Sequence, residues 1–167
     1  MKKVTLVFSI LFFIGLSNSF AQSALRKGEK QLNAGFGFSD FGTPIYVGVD
    51  FGIHDDITIG PQISYRSHNE SFAGIKYGNS LLVLAGNANY HFNTLLSIPR
   101  EWDLYAGLTL GYYIWSTASG YPGAVGTGFD IEAQIGGRYY FNENWGINLE
   151  LGGGATSGGK IGITYKF

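Results

Sequence analysis

Several short stretches of this 167-residue chain carry residue types that could do chemistry. Ser67-His68-Asn69-Glu70 puts a hydroxyl, an imidazole and a carboxylate in a row, the parts of a nucleophile, its base and an orienting acid. Such a relay needs the base within hydrogen-bond reach and a third group holding it, and adjacent residues of one loop rarely provide that geometry. Asp130 and Glu132 could form an acid/base pair, but with cations close by a structural charge network is the simpler expectation. Gly154-Ala-Thr-Ser-Gly-Gly159-Lys160-Ile161 imitates a phosphate-binding loop, yet Ile161 stands where a Ser or Thr is needed and no helix follows. Gly35-Phe-Gly37-Phe-Ser-Asp40 fails the dinucleotide fingerprint at its third glycine. His54 beside Asp55 and Asp56 reads as a solvated turn. No metal-ligand spacing appears, so neither metal nor cofactor is expected.

What must position these residues is a set of strands. The stretch Gly159-Lys-Ile-Gly-Ile-Thr-Tyr-Lys-Phe167 alternates strictly, with Ile161, Ile163, Tyr165 and Phe167 on one face and Lys160, Gly162, Thr164 and Lys166 on the other. Period-2 alternation means that one face meets an apolar phase and the other a polar one. Seven earlier segments share the pattern. They start at Leu32-Ala34-Phe36-Phe38 and Ile45-Val47-Val49-Phe51, and the clearest is Phe129-Ile131-Ala133-Ile135-Gly137-Tyr139-Phe141. One segment is blurred at its start by Leu81-Leu82-Val83-Leu84. Pro61 lies inside another, where it removes a ladder donor and predicts a bulge or pairing defect. The 26 glycines and 16% aromatics, with four prolines, suit an all-β chain with tight turns.

The other end reads as an export signal. Met1-Lys2-Lys3 is a positive leader, Val4 to Leu16 an apolar run, and Ser19-Phe20-Ala21 a small-residue cleavage site, giving a signal peptide over 1–21 and a mature barrel domain over 22–167. With no cysteine, the signal is not of the lipoprotein type and there is no disulfide framework. Beyond 21, nine basic residues face twelve acidic ones, without a basic patch, so nucleic acid is not an expected partner.

Alternation alone does not say which phase the apolar face meets. Aromatics decide it. Phe51, Phe92, Trp102, Phe141, Trp145 and Phe167 gather at one set of strand ends, and Phe38, Tyr65, Tyr112 and Phe129 at the other, as two membrane–water interfaces require. Phe129 to Phe141 spans roughly 40 Å at about 3.3 Å per residue. Tilted by about 45°, it rises about 28 Å, near the ~25 Å apolar band of outer-membrane barrels. With both termini in the periplasm, the periplasmic turns are 52–56, 93–101 (longer than usual) and 142–144. The outer loops are 39–43, 67–79, 116–128 and 154–158.

A signal peptide, eight amphipathic strands and a terminal strand ending Tyr165-Lys166-Phe167 resemble the small outer-membrane barrels of the OmpX type and the barrel half of OmpA-type proteins. The resemblance implies an all-β, eight-stranded antiparallel up-and-down transmembrane barrel in the bacterial outer membrane. It further implies that the barrel-assembly machinery reads Ile161, Ile163, Tyr165 and Phe167. Ending at Phe167, the chain is expected to lack the peptidoglycan-binding domain of full OmpA-type proteins. Some barrels of this size modify lipid A with a His near the outer leaflet, which makes His68 the place for an enzymatic alternative. A soluble periplasmic lipocalin-like barrel with an apolar interior is the other.

Eight strands enclose just enough space for side chains. The expected interior holds Asp50, Asp130, Glu132 and Glu150 beside Arg66, Arg138, Lys160 and Lys166, a set that should pair because an unpaired buried charge is costly. His91 should face the same interior. Outside, lipid and lipopolysaccharide are the expected neighbours. Phe72, Tyr77 and Tyr121 are candidate contacts for an unidentified surface partner.

Overall fold

The computed structural model describes residues 25–39, 41–72, 75–120, 126–154 and 158–167. The segment 1–21, read above as a signal peptide, and Tyr121 lie outside them. The alternating segments become β1 (Lys30–Ser39), β2 (Ile45–His54), β3 (Ile57–Phe72), β4 (Ile75–His91), β5 (Trp102–Ser116), β6 (Gly128–Tyr140), β7 (Trp145–Gly153) and β8 (Gly158–Lys166). Each pairs antiparallel with its sequence neighbour, and β8 returns to β1 from Gln31↔Lys166 to Ser39↔Gly158, closing an up-and-down barrel. Closure leaves no open edge around the wall.

The barrel is inside out relative to a soluble domain. Outward-facing Leu108, Ile131 and Ile135 are 57%, 59% and 62% exposed. The interior takes Gln31, Asn33, Asp50, Asn89, His91, Asp103, Gln134 and Arg138, all buried. The apolar interior that a soluble binding barrel requires is therefore not the one this sequence builds.

Four local details depart from or sharpen the sequence reading. The stretch 67–79, read as an outer loop, is strand almost throughout: β3 and β4 stay paired from Ser67↔Ser80 to Phe72↔Ile75. β2 leaves β3 after Tyr65, and β5 leaves β4 at Ser80, so this ribbon stands beyond its neighbours. Ser67-His68-Asn69-Glu70 does not alternate between apolar and polar, so the pattern that marks a strand disappears from the sequence there. Pro61 produces a gap without a bulge. The β2–β3 ladder passes from Gly48↔Gln62 to Phe51↔Ile59 in one register, and the register shift falls instead between Gly52 and His54. The 93–101 turn contains one helical turn, Asn93–Leu96, ended by Ser97 at φ 52°. Leu25, ahead of β1, is fully buried, and its neighbours are tied to β2 by Gly28 N–H to Gly52 O at 2.8 Å.

Candidate functional site

Chemistry in this chain concentrates in the barrel interior. On β6 the inward positions run Gln134, Gly136, Arg138, Tyr140. Asp103 sits directly across the ladder from Arg138. The guanidinium reaches both walls: Nη1 donates to Asp103 Oδ2 at 2.8 Å and Nη2 to Asp50 Oδ2 at 2.6 Å. Its plane lies over the Tyr105 ring, 4.4 Å from the centroid. Gly136 makes room for that ring, because a Cβ there would run into it.

Asp103 also holds His91, whose Nδ1 is 2.7 Å from Oδ1, while His91 Nε2 is 3.0 Å from Thr58 Oγ1. Hydroxyl, imidazole and carboxylate thus stand in relay order. All three residues are fully buried, so the hydroxyl presents no face to a substrate, and Arg138 engages the carboxylate as a structural counter-ion. The network continues through Asn33, which donates to Asp50 at 3.0 Å and accepts from Gln31 and Thr164, each at 2.9 Å. Tyr140 donates to Gln31 and carries Lys166 Nζ over its ring at 3.7 Å.

A second cluster sits higher in the lumen. Lys160 Nζ is 2.5 Å from Glu150 Oε1 and donates to Gln62 at 3.1 Å, while Tyr105 donates to Glu150 Oε2 at 2.9 Å. Tyr46 donates to Asn148 at 2.6 Å. Higher still, Arg66 donates to Ser39 Oγ at 3.0 Å and lines one cavity with Tyr113 and Glu132. Of the eight charges expected inside, Asp50–Arg138 and Glu150–Lys160 meet directly, and Arg66 and Glu132 line one cavity. Asp130 instead accepts the Ile131 N–H at 2.7 Å, and Lys166 turns to an aromatic face.

Asp103 is the member that the sequence reading missed. It is the first inward-facing residue of β5, on the same alternation as Tyr105. The blurred run Leu81–Leu84 also resolves: Leu81 and Val83 point inward and pack with Tyr113 into an apolar cluster. Phe41 and Trp115 pack against it, their rings edge-to-face at 4.7 Å, and the His68 ring lies 5.2 Å from Phe41. His68 thus belongs to an aromatic group that packs beside the inward-facing Leu81 and Val83. The cavity beside Arg66, Glu132 and Lys160 measures about 50 Å³, and one beside Asp50, Tyr105 and Arg138 about 20 Å³. Since a water needs about 10–15 Å³, these spaces suit a few waters and no larger solute.

The remaining sequence candidates lie on the outside. Ile161, Ile163 and Phe167 are exposed on the outer face of the closing strand, with Tyr165 packed against Trp145 at 4.6 Å. Tyr77 is half-buried on β4, and Phe72 ends β3.

Neither a family model nor a curated protein sequence matches the chain. Solved structures do resemble it. OprG from Pseudomonas aeruginosa aligns over 87% of this chain and 99% of its own at 13% identity, with a TM-score of 0.67. Ail, the attachment invasion locus protein of Yersinia pestis, in complex with the heparin analogue sucrose octasulfate, aligns over 84% and 99% at 11% identity, TM-score 0.56. A de novo designed transmembrane β-barrel aligns over 85% and 98% at 14% identity, TM-score 0.52. The likeness is one of fold, the fold of small outer-membrane barrels.

Proposed function

We propose that this chain is an integral outer-membrane β-barrel with a sealed polar lumen, acting as a structural or surface-interacting element and not as a catalyst. The observation that carries the reading is the inverted polarity: a continuous apolar exterior around an interior of paired charges and amides. Water outside such a barrel would leave many aliphatic and aromatic side chains solvated at a cost of about 25 cal/mol per Å², whereas lipid removes that cost. Export through the signal sequence, and insertion through the terminal strand Ile161-Ile163-Tyr165-Phe167 read by the assembly machinery, belong to the same proposal.

The outward-reaching ribbon of β3 and β4 supplies the surface role. It projects past β2 and β5 and carries Tyr77 into the lipopolysaccharide layer. Any surface partner would meet this ribbon first. Carbonate and urea washing of membranes tests the placement: the protein should stay with the membrane until detergent is added. Lipid A profiles with and without the protein test the absence of catalysis and should be identical by mass spectrometry.

A further inference from the structure

We propose that the turn between β4 and β5 is a lipid anchor, sinking Leu95 and Leu96 into the periplasmic-side leaflet of the bilayer among phospholipid acyl chains. The proposal rests on the membrane-barrel reading above and adds a contact outside the barrel wall. Leu95 and Leu96 are 66% and 61% exposed, more than most side chains of the barrel's own apolar face. They are held in that position by a built turn. Asn93 is buried, its Nδ2 donates to the Trp102 carbonyl at 2.5 Å, and its own carbonyl accepts the Ile98 N–H at 2.9 Å.

The other two turns on this rim are polar, His54-Asp55-Asp56 and Asn142-Glu143-Asn144. Of the three, this one alone presents adjacent leucines, so general solvation of the rim does not explain them. The flanks point to lipid. The turn starts from Phe92, packed on Tyr90 at 5.3 Å, and returns at Trp102, packed on Tyr139 at 4.7 Å, so its apolar surface continues the aromatic belt. Exposed Arg100 follows and can stay at headgroup level while the leucines go deeper. Interfacial helical segments bury their apolar side about 5–10 Å past the headgroups, a depth that one helical turn can reach. Two leucines are far too small a patch for a stable protein interface, which favours lipid as the occupant.

The chain has no cysteine, so a single introduced one can be labelled uniquely. Leu95→Cys and Leu96→Cys, each carrying a nitroxide, would be compared in phospholipid bilayers with Glu143→Cys on the polar turn and Leu108→Cys on the barrel exterior. Collision with oxygen, which concentrates in lipid, is measured against collision with a water-soluble nickel chelate. The anchor predicts that both leucine positions, like Leu108, favour oxygen severalfold, while Glu143 favours the chelate. Leucine positions that match Glu143 while Leu108 stays in lipid would overturn the anchor alone. Shielding from both reagents would place a protein contact there and also overturn it. A chelate-accessible Leu108 would overturn the barrel reading itself.

Discussion

Arg138 Nη2 lies 2.6 Å from Asp50 Oδ2 and thereby ties β6 to β2, two strands that share no ladder. Backbone hydrogen bonds join each stave only to its neighbours, so nothing in the wall itself braces one side of the barrel against the other. This ion pair does, and because both partners are at most 3% exposed, it acts in a medium where an abandoned charge is expensive.

Removing the guanidinium should therefore cost far more than a surface ion pair. Arg138→Ala leaves Asp50 and one oxygen of Asp103 without their cation, and should destabilise the barrel by about 3 kcal/mol. Urea unfolding in phospholipid bilayers would show this as a lowered midpoint. A double-mutant cycle with Asp50→Ala should return a coupling of about 1–3 kcal/mol, and additive losses would contradict the brace.

The seam between β1 and β8 should be sensitive to a single methyl group. A Cβ on Gly162 would collide with the Ala34 carbonyl and come within 2.5 Å of the Tyr46 hydroxyl, so Gly162→Ala should cost about 1–3 kcal/mol. Gly86 has open space on its Cβ side, so Gly86→Ala should stay within about 0.5 kcal/mol. Equal effects at both sites, measured by the same unfolding assay, would contradict the tight seam.

A depth-dependent penalty should appear on the exterior. Leu108 lies midway between the Trp102 and Tyr112 belts of β5, and Leu108→Arg should cost about 2–4 kcal/mol. Phe129→Arg, at the outer belt, should cost no more than about 1 kcal/mol. A soluble barrel would tolerate both, since each position would then meet water, and no dependence on depth would be seen.

The terminal aromatic should matter to assembly more than to the folded state. Phe167 is 63% exposed, its N–H donating to the Lys30 carbonyl at 3.0 Å and its ring stacked on Tyr165 with 6.3 Å between centroids. Phe167→Ala should lower the amount inserted in cells severalfold, while the purified variant still refolds in detergent. Equal loss in both settings would make Phe167 a stability residue instead of a recognition one.

These predictions divide along what the sequence exposes. Strands between two aromatic belts are legible because lipid and lumen impose opposite demands on alternate residues, as at Phe129 to Phe141. The ribbon above Tyr65 was not legible, since its residues do not alternate between apolar and polar. Asp103 was hidden because it lies at the very start of its strand, next to the long turn, where the alternation is only beginning. Leu81 and Val83 blurred their segment because they point into the lumen and pack on Tyr113, while the lumen lower down is mostly polar. Which carboxylate meets which cation depends on strand stagger around the closed wall, and no local pattern carries that.

The most direct test of the central claim is the gel mobility of the protein from outer-membrane fractions, with and without boiling. A membrane barrel predicts a protein that needs detergent for release and migrates as a compact band until it is boiled, then shifts to the position of the unfolded chain. A band in the soluble periplasm with the same mobility before and after boiling would contradict the account.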